Sequence, residues 1–251
     1  MKTIKVKKQE KISMISLSRT KNLNAIHTLM LDEISAVLDS MKDSRVLIIK
    51  GEGKAFSVGA DIKEMKEMDS LKIKAFSKKG QDLFNIIEDL HMLTIACIDG
   101  YCMGGGLELA STCDLRISSP ESKFSLPELK LGVVPGFGAF FRIQELVGFS
   151  DFKKMLFTGE VMDAKRAKDI GLINIVSDDP LKKANQIAKN FIEDLSFNAF
   201  FHAKKTINFA LKKHRKEILE KENQAIAETF SHLDKKTGMD SFLKKQKPEF
   251  E

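Results

Sequence analysis

The sequence predicts an α/β fold, on three observations. Short β-rich apolar runs alternate with segments whose apolar residues recur at helical spacing. Glycine-containing loops separate these elements. The chain of 251 residues, 43% hydrophobic and 30% charged, is also long enough for one sizeable core.

In chain order, "KISMISLS" (11–18) has strand-like alternation, and Met30, Ile34, Val37 and Met41 then recur at helical spacing. "VLIIK" (46–50) follows as a buried strand, giving a β-α-β order. The pattern repeats with a glycine-containing loop (51–61), a helix carrying Ile73, Phe76, Leu83, Phe84, Ile87 and Leu90, and the β-rich run "TIACI" (94–98). A short helix is predicted after the glycine triplet, running to about Cys113, then short strands "LRIS" (115–118) and "KFSL" (123–126), where Pro127 blocks further pairing. From about residue 139 the periodicity is helical nearly throughout, with one short strand signal, "INIV" (173–176). The last predicted helices, 216–233 and 239–246, carry apolar faces with little chain left to cover them, which points to self-association. No solenoid-scale sequence repeat and no low-complexity linker divides the chain.

Composition narrows the function classes. The net charge of +6 comes from lysines spread along the chain, so nucleic acid is not the expected partner. Helical runs 182–190 and 211–217 could still supply cations to RNA. Cys97, Cys102 and Cys113 sit in apolar surroundings without metal-ligand spacing, and read as buried thiols in a reducing compartment. No window approaches the roughly 18 apolar residues of a spanning helix, so the cytoplasm, with no membrane partner, is the default location.

The stretch "YCMGGGLELASTCD" (101–114) carries the first chemical signal. Consecutive glycines lose much backbone freedom on folding, and Glu108 sits among Leu107, Leu109 and Ala110. The spacing fits neither a dinucleotide fingerprint nor a P-loop, and no Gly-x-Ser-x-Gly elbow or zinc-type histidine pair is present. A glycine loop opening a helix remains, where unpaired backbone N–H groups hold an anion or a developing oxyanion. On the residues alone, the glycines serve equally well as a close-packing device with Glu108 solvated. Twenty residues on, "FSLPELKLGVVPGFG" (124–138) holds Glu128 in a rigid turn after Pro127. Upstream, "GKAFSVGADIKE" (53–64) places the Ala60 and Asp61 amides at another helix start.

Taken together, "RTKNLNAI" (19–26), the loop from Lys54 to Met65, "DGYCMGGGLELASTCD" (99–114), "FSLPELKLGVVPGFG" (124–138), "FTGEVMDAKRAKDIGLINIV" (157–176) and "GMDSFLKKQKPEF" (238–250) resemble the crotonase, or enoyl-CoA hydratase/isomerase, superfamily, in family order over almost the whole chain. The resemblance implies a crotonase-like (ClpP/crotonase) spiral core of repeated ββα units over residues 1–195. A C-terminal helical trimerisation region, 196–251, would be continuous with that core. It also implies an acyl-CoA substrate, no cofactor beyond the coenzyme A it carries, no metal, and a homotrimer or dimer of trimers.

Residue by residue, the resemblance makes the Ala60 and Gly105 amides an oxyanion hole for the thioester carbonyl, with Glu108 and Glu128 as the catalytic pair. Ala60, Asp61, Ile62 and Lys63 match the part that wraps the CoA adenine, and Lys21, Asn22 and Leu23 lie along the same ligand. Gly136 joins the substrate-binding set, and Lys245 is placed to reach a phosphate across a subunit boundary. Retention of both glutamates favours water addition to trans-2-enoyl-CoA, in fatty acid β-oxidation or a related acyl-CoA pathway, over the isomerase and lyase branches. Two departures stand out: Phe137, Phe140 and Phe141 point to an unusual acyl pocket, and His91 and Met92 replace the usual lead into the strand at 94, His91 reading as a surface or packing residue.

Overall fold

A computed structural model describes residues 1–211 and 215–250. Strands β1 (Ile4–Gln9) and β2 (Ile12–Leu17) form an antiparallel hairpin. β2 then runs parallel to β3 (Val46–Gly51), which is followed across the sheet by β5 (Leu93–Ile98), β7 (Leu115–Ser118) and β10 (Ile175–Val176), making six strands in all. A second sheet of four short strands stacks β4 (Ala55–Ser57), β6 (Tyr101–Met103), β8 (Lys123–Ser125) and β9 (Met162–Asp163).

The two sheets arise from one repeated move. β3 continues into β4, β5 into β6 and β7 into β8, the first of each pair joining the large sheet and the second the small one. Each pair leads to helix: α2 (Ile62–Lys66) and α3 (Ser70–Glu88), α4 (Gly105–Ser111), and α5 (Ala139–Thr158). The ββα unit therefore repeats in space where the sequence shows no repeat.

β3 is apolar on both sides because the large sheet is covered on both faces. Leu47 and Ile49 join the main core with Met30 and Ile34 of α1 (Thr28–Leu38), Phe84 and Leu107. Val46 and Ile48 face the other way, packing with Ile95 and Ile117 against Ala184, Ala188 and Phe191 of α7 (Pro180–Asp194). α6 (Ala164–Asp169) links β9 to β10.

The remaining helices are α8 (Phe197–Leu211), α9 (Arg215–Phe230) and α10 (Leu233–Leu243). α9 packs along α3 and α5, burying Leu219, Ile226 and Phe230. The apolar face of α9 is thus covered within this chain, while Leu233, Phe242 and Leu243 of α10 stay exposed. The predicted boundaries also shift: the break falls at Ser231–His232, where the His232 ring accepts the Asp234 N–H, and α10 begins six residues earlier than the predicted 239. Gly238 lies inside α10, where the Leu131 backbone packs too closely for any side chain.

One contact ties two successive ββα units together. Any Cβ on Gly106 in α4 would fall on the Ser57 carbonyl at the end of β4. Gly106→Ala is therefore expected to destabilise the chain by about 1–3 kcal/mol, an overpacking cost, read from the midpoint of urea unfolding. An unchanged midpoint would show that β4 and α4 separate freely.

Candidate active site

The site is assembled where the glycine loop meets the loop after β4. Gly104 enters α4 at φ +48° and ψ −127°, and a Cβ there would stand 2.9 Å from Glu128 Oε1, so the position demands glycine. Gly105 is the first residue of α4, and its N–H has no carbonyl within the helix to pair with. The second amide is turned by a single parallel bridge. Ile26 donates to the Gly59 carbonyl at 2.8 Å and accepts the Asp61 N–H at 2.7 Å. Bonding the residues on either side of Ala60 leaves the Ala60 N–H aimed away from Ile26. The two loops are in contact: a Cβ on Gly105 would lie 3.4 Å from the Ala60 nitrogen.

Ala60, Gly105, Glu108 and Glu128 all line one cavity of about 250 Å³. Its walls are apolar, from Ile73 and Phe76 of α3, Val134, Phe137 and Ile226 of α9, and its exposed side is formed by Phe242 and Gln246. Glu108 is carried in by the first turn of α4, and its Oε1 accepts the Phe137 N–H at 2.7 Å and the Ala139 N–H at 3.0 Å. Glu128 opens a 3-10 turn, Glu128–Leu131, directly after Pro127, and its Oε2 is buried with no hydrogen-bond partner among the described residues.

Burial raises the proton affinity of every carboxyl here, since the charged form loses its water. Glu108 is pushed up to about 7, with the Phe137 and Ala139 amides and the Arg142 charge holding it from going higher. Glu128 has no comparable relief; burial, and then the charge of Glu108, drive it well above the usual carboxylate range. A third carboxylate, Glu222 of α9, is also buried and pushed up to about 8, by burial first and then by Glu108.

The other predicted residues divide. Gly136 lines the cavity, its carbonyl held by Ser77 Oγ at 2.5 Å and Gln81 Nε2 at 3.2 Å, and Ile62 lines it too. Asp61 caps α2 by accepting the Lys63 N–H at 3.0 Å and pairs with Arg19 at 2.8 Å, so its carboxylate is committed locally. Lys21, Asn22 and Lys63 are exposed outside the cavity, although Leu23 runs beside the loop, accepting the Val58 N–H at 3.2 Å. Lys245 is exposed and does not line the cavity, whereas its neighbours Gln246 and Pro248 do so from this same chain.

Of the three phenylalanines expected to reshape the pocket, only Phe137 lines it. Phe140 stands edge-on to Phe152, and Phe141 packs between the Arg142 and Arg215 guanidinium groups. The half-buried His91 packs edge-on to Phe197, its Nε2 3.0 Å from the Lys42 carbonyl. Within the basic run 211–217, Arg215 is buried and bonded to Glu88 at 2.7 Å, while Lys212, Lys213 and His214 lie outside the described residues. Sequence reading missed Glu222, though its spacing from Leu219 and Ile226 places it on the buried stripe of α9.

The three cysteines are free and buried, and burial pushes the Cys97 and Cys113 thiols up to about 12, which keeps them unreactive. Among the described residues, no helix is long and apolar enough to cross a membrane. Among the same residues, no group of three His, Cys, Asp or Glu side chains is placed to hold a metal ion.

The family profile described as "Enoyl-CoA hydratase/isomerase" matches residues 7–251. A short-chain-enoyl-CoA hydratase of Clostridium acetobutylicum is 36% identical, with 97% of this chain and 95% of that protein covered. A crotonyl-CoA hydratase of Syntrophomonas wolfei is 34% identical over 98% of this chain and 96% of its own length. Among solved structures, an enoyl-CoA hydratase of Bacillus anthracis superposes with a TM-score of 0.80 at 29% identity, covering 99% of both chains. An enoyl-CoA hydratase/isomerase of Xanthobacter autotrophicus superposes with a TM-score of 0.89 at 26% identity, over 96% of this chain and 93% of its own. With a spiral of ββα units ending in helices and a profile match over nearly its full length, the chain belongs to the enoyl-CoA hydratase/isomerase family.

Proposed function

We propose that this protein is an enoyl-CoA hydratase, a hydro-lyase that adds water across the 2,3 double bond of trans-2-enoyl-CoA thioesters to give 3-hydroxyacyl-CoA. The observation that carries the reading is a small apolar cavity faced by two unequal buried carboxyls and two backbone amides. The relatives named as short-chain-enoyl-CoA and crotonyl-CoA hydratases support it.

The chemistry follows from the unequal proton affinities. Glu108 is the first of the pair to ionise, so it orients the attacking water and takes its proton as oxygen bonds to the β carbon. Glu128 keeps its proton and delivers it to the α carbon. Between these events charge sits on the thioester oxygen, which the Ala60 and Gly105 N–H groups receive; losing one such donor typically costs about 10²–10³ in rate. The Phe137 and Ala139 amides fix one Glu108 oxygen and leave the other for water. The loop from Ala60 to Lys63 and the turn from Lys21 to Leu23 would run along the coenzyme A moiety, which is the only cofactor the reaction needs.

In the same reading, residues 196–251 serve as an oligomerisation region. Phe209 and Ile207 of α8 remain 79% and 60% exposed, which favours self-association, and the family resemblance makes that a homotrimer or a dimer of trimers. Buried free thiols fit a cytoplasmic location.

Glu108→Gln and Glu128→Gln are each expected to lower kcat for crotonyl-CoA by orders of magnitude with KM little changed, measured by loss of the enoyl absorbance. Near-normal turnover in either variant would remove that residue from the chemistry. A parallel assay with 3-enoyl-CoA separates hydration from double-bond isomerisation.

The pH profile has a defined sign. Below about 7 Glu108 is protonated and cannot accept a proton from water, so kcat/KM should rise with pH through about 7 and fall again where Glu128 ionises. A flat profile through neutrality would exclude Glu108 as the base.

A further inference from the structure

The start of α5 lacks an N-cap side chain and is held instead by two carboxylates from other helices. Glu108 Oε1 takes the Phe137 and Ala139 N–H groups. Glu222 Oε2 takes the next amide, Phe140, at 3.3 Å. The other Glu222 oxygen accepts Gln81 Nε2 at 3.1 Å, and that amide group also bonds the Gly136 carbonyl at 3.2 Å. A residue of α9 that does not line the cavity is therefore tied to both flanks of the segment that seats Glu108.

A carboxylate is a costly choice for this task. Glu222 is 3% exposed and has no ion-pair partner among the described residues, while a neutral amide could accept the same Phe140 N–H. What the carboxylate adds is charge beside the other two. The charged groups it acts with are Glu108 from α4 and Glu128 from the turn after Pro127, while Arg142 of α5 acts on Glu108 and also contacts Glu88 of α3. Glu88 is in turn bonded to Arg215 of α9 itself.

We propose that Glu222 is a positioning residue for Glu108 and the third member of its proton-sharing set, holding the helix start to which Glu108 is bonded and, when charged, keeping the proton on Glu128. The assignment rests on the hydration reading above. Geometry supplies the first role. The second follows from like charge in a low dielectric: burial and then Glu108 push Glu222 up to about 8, and the Glu222 charge adds to what holds the proton on Glu128. The Glu222 charge therefore bears on the alkaline limb of the rate profile, where Glu128 loses its proton.

The test compares Glu222→Gln and Glu222→Ala with the intact chain, using crotonyl-CoA from pH 5 to 10. Glu222→Gln keeps an acceptor for Phe140 and should retain kcat at pH 7 within about threefold, with the acid limb unmoved and the alkaline limb lowered by about half to one pH unit. Glu222→Ala should lose about tenfold or more in kcat at unchanged KM. A purely structural residue would not move one limb alone, so superimposable profiles for Glu222→Gln overturn the proposal, as does full kcat in Glu222→Ala. If Glu222→Ala does not fold, Glu222→Gln decides. If the intact chain fails to hydrate enoyl-CoA thioesters, the hydration reading falls by itself, and infrared titration of the carboxyl band assigned by its loss in Glu128→Gln still tests Glu222. A lower titration point in Glu222→Gln supports the coupling, and an unmoved one rejects it.

Discussion

Backbone lies directly against backbone where α4 begins and β4 ends, and the site depends on that approach. A Cβ on Gly106 would strike the Ser57 carbonyl, and one on Gly59 would stand 3.2 Å from the Gly105 nitrogen. Because no side chain intervenes, the Ala60 and Gly105 amides come from different ββα units yet border one space. Glu108 is on the first turn of the same helix, so its position is fixed by the same contact, and Glu128 is drawn against Gly104 from the next unit. Each successive turn of the spiral thus contributes one part of the constellation.

Such an arrangement concentrates acidic groups where water is scarce, and the fold answers each burial differently. Glu108 is relieved by two amides at the start of α5 and by Arg142, while Glu222 has one amide and the Gln81 side chain. Glu128 has only its own backbone N–H for relief, and one of its oxygens stays unpaired. The asymmetry matters more than the burial itself: equal environments would give a pair titrating together, whereas unequal ones separate a base from an acid at one pH.

Much of this was legible in the sequence, and the failures have physical causes. The central strands could be read because β3 and β5 are buried on both faces and appear as unbroken apolar runs. β1 was missed because Ile4 and Val6 alternate with lysines on an edge strand, and its turn at Glu10–Lys11 carries none of the residues that usually mark a hairpin. β4 and β6 are three residues each, too short to show a period, and both lie in stretches read as glycine loops. Glu108 and Glu128 stood out because a lone carboxylate beside glycines or proline is locally expensive. Asp61 drew notice as a helix start and part of the stretch that wraps the adenine, yet its carboxylate is consumed as a helix cap and an ion pair with Arg19. Local cost identifies a residue under constraint without saying which constraint it serves.

The C-terminal helices show where reading by segments stops working. Residues 215–230 look like an amphipathic helix awaiting a partner, since nothing nearby in sequence can cover Leu219, Ile226 and Phe230. The partner is α3, more than a hundred residues earlier, and the contact does more than bury apolar surface. It brings Ile226 into the cavity wall and sets Gln81 and Glu222 behind the loop that orients Glu108. A boundary drawn near residue 195 therefore separates chain segments but not the site. The core supplies the amides and the two reacting carboxyls, while the last helices supply the wall and tail residues that keep bulk water from them. Because the proton affinities on which the chemistry relies arise first from burial, the helices that complete the enclosure are as much a part of the acid–base machinery as the glutamates they cover.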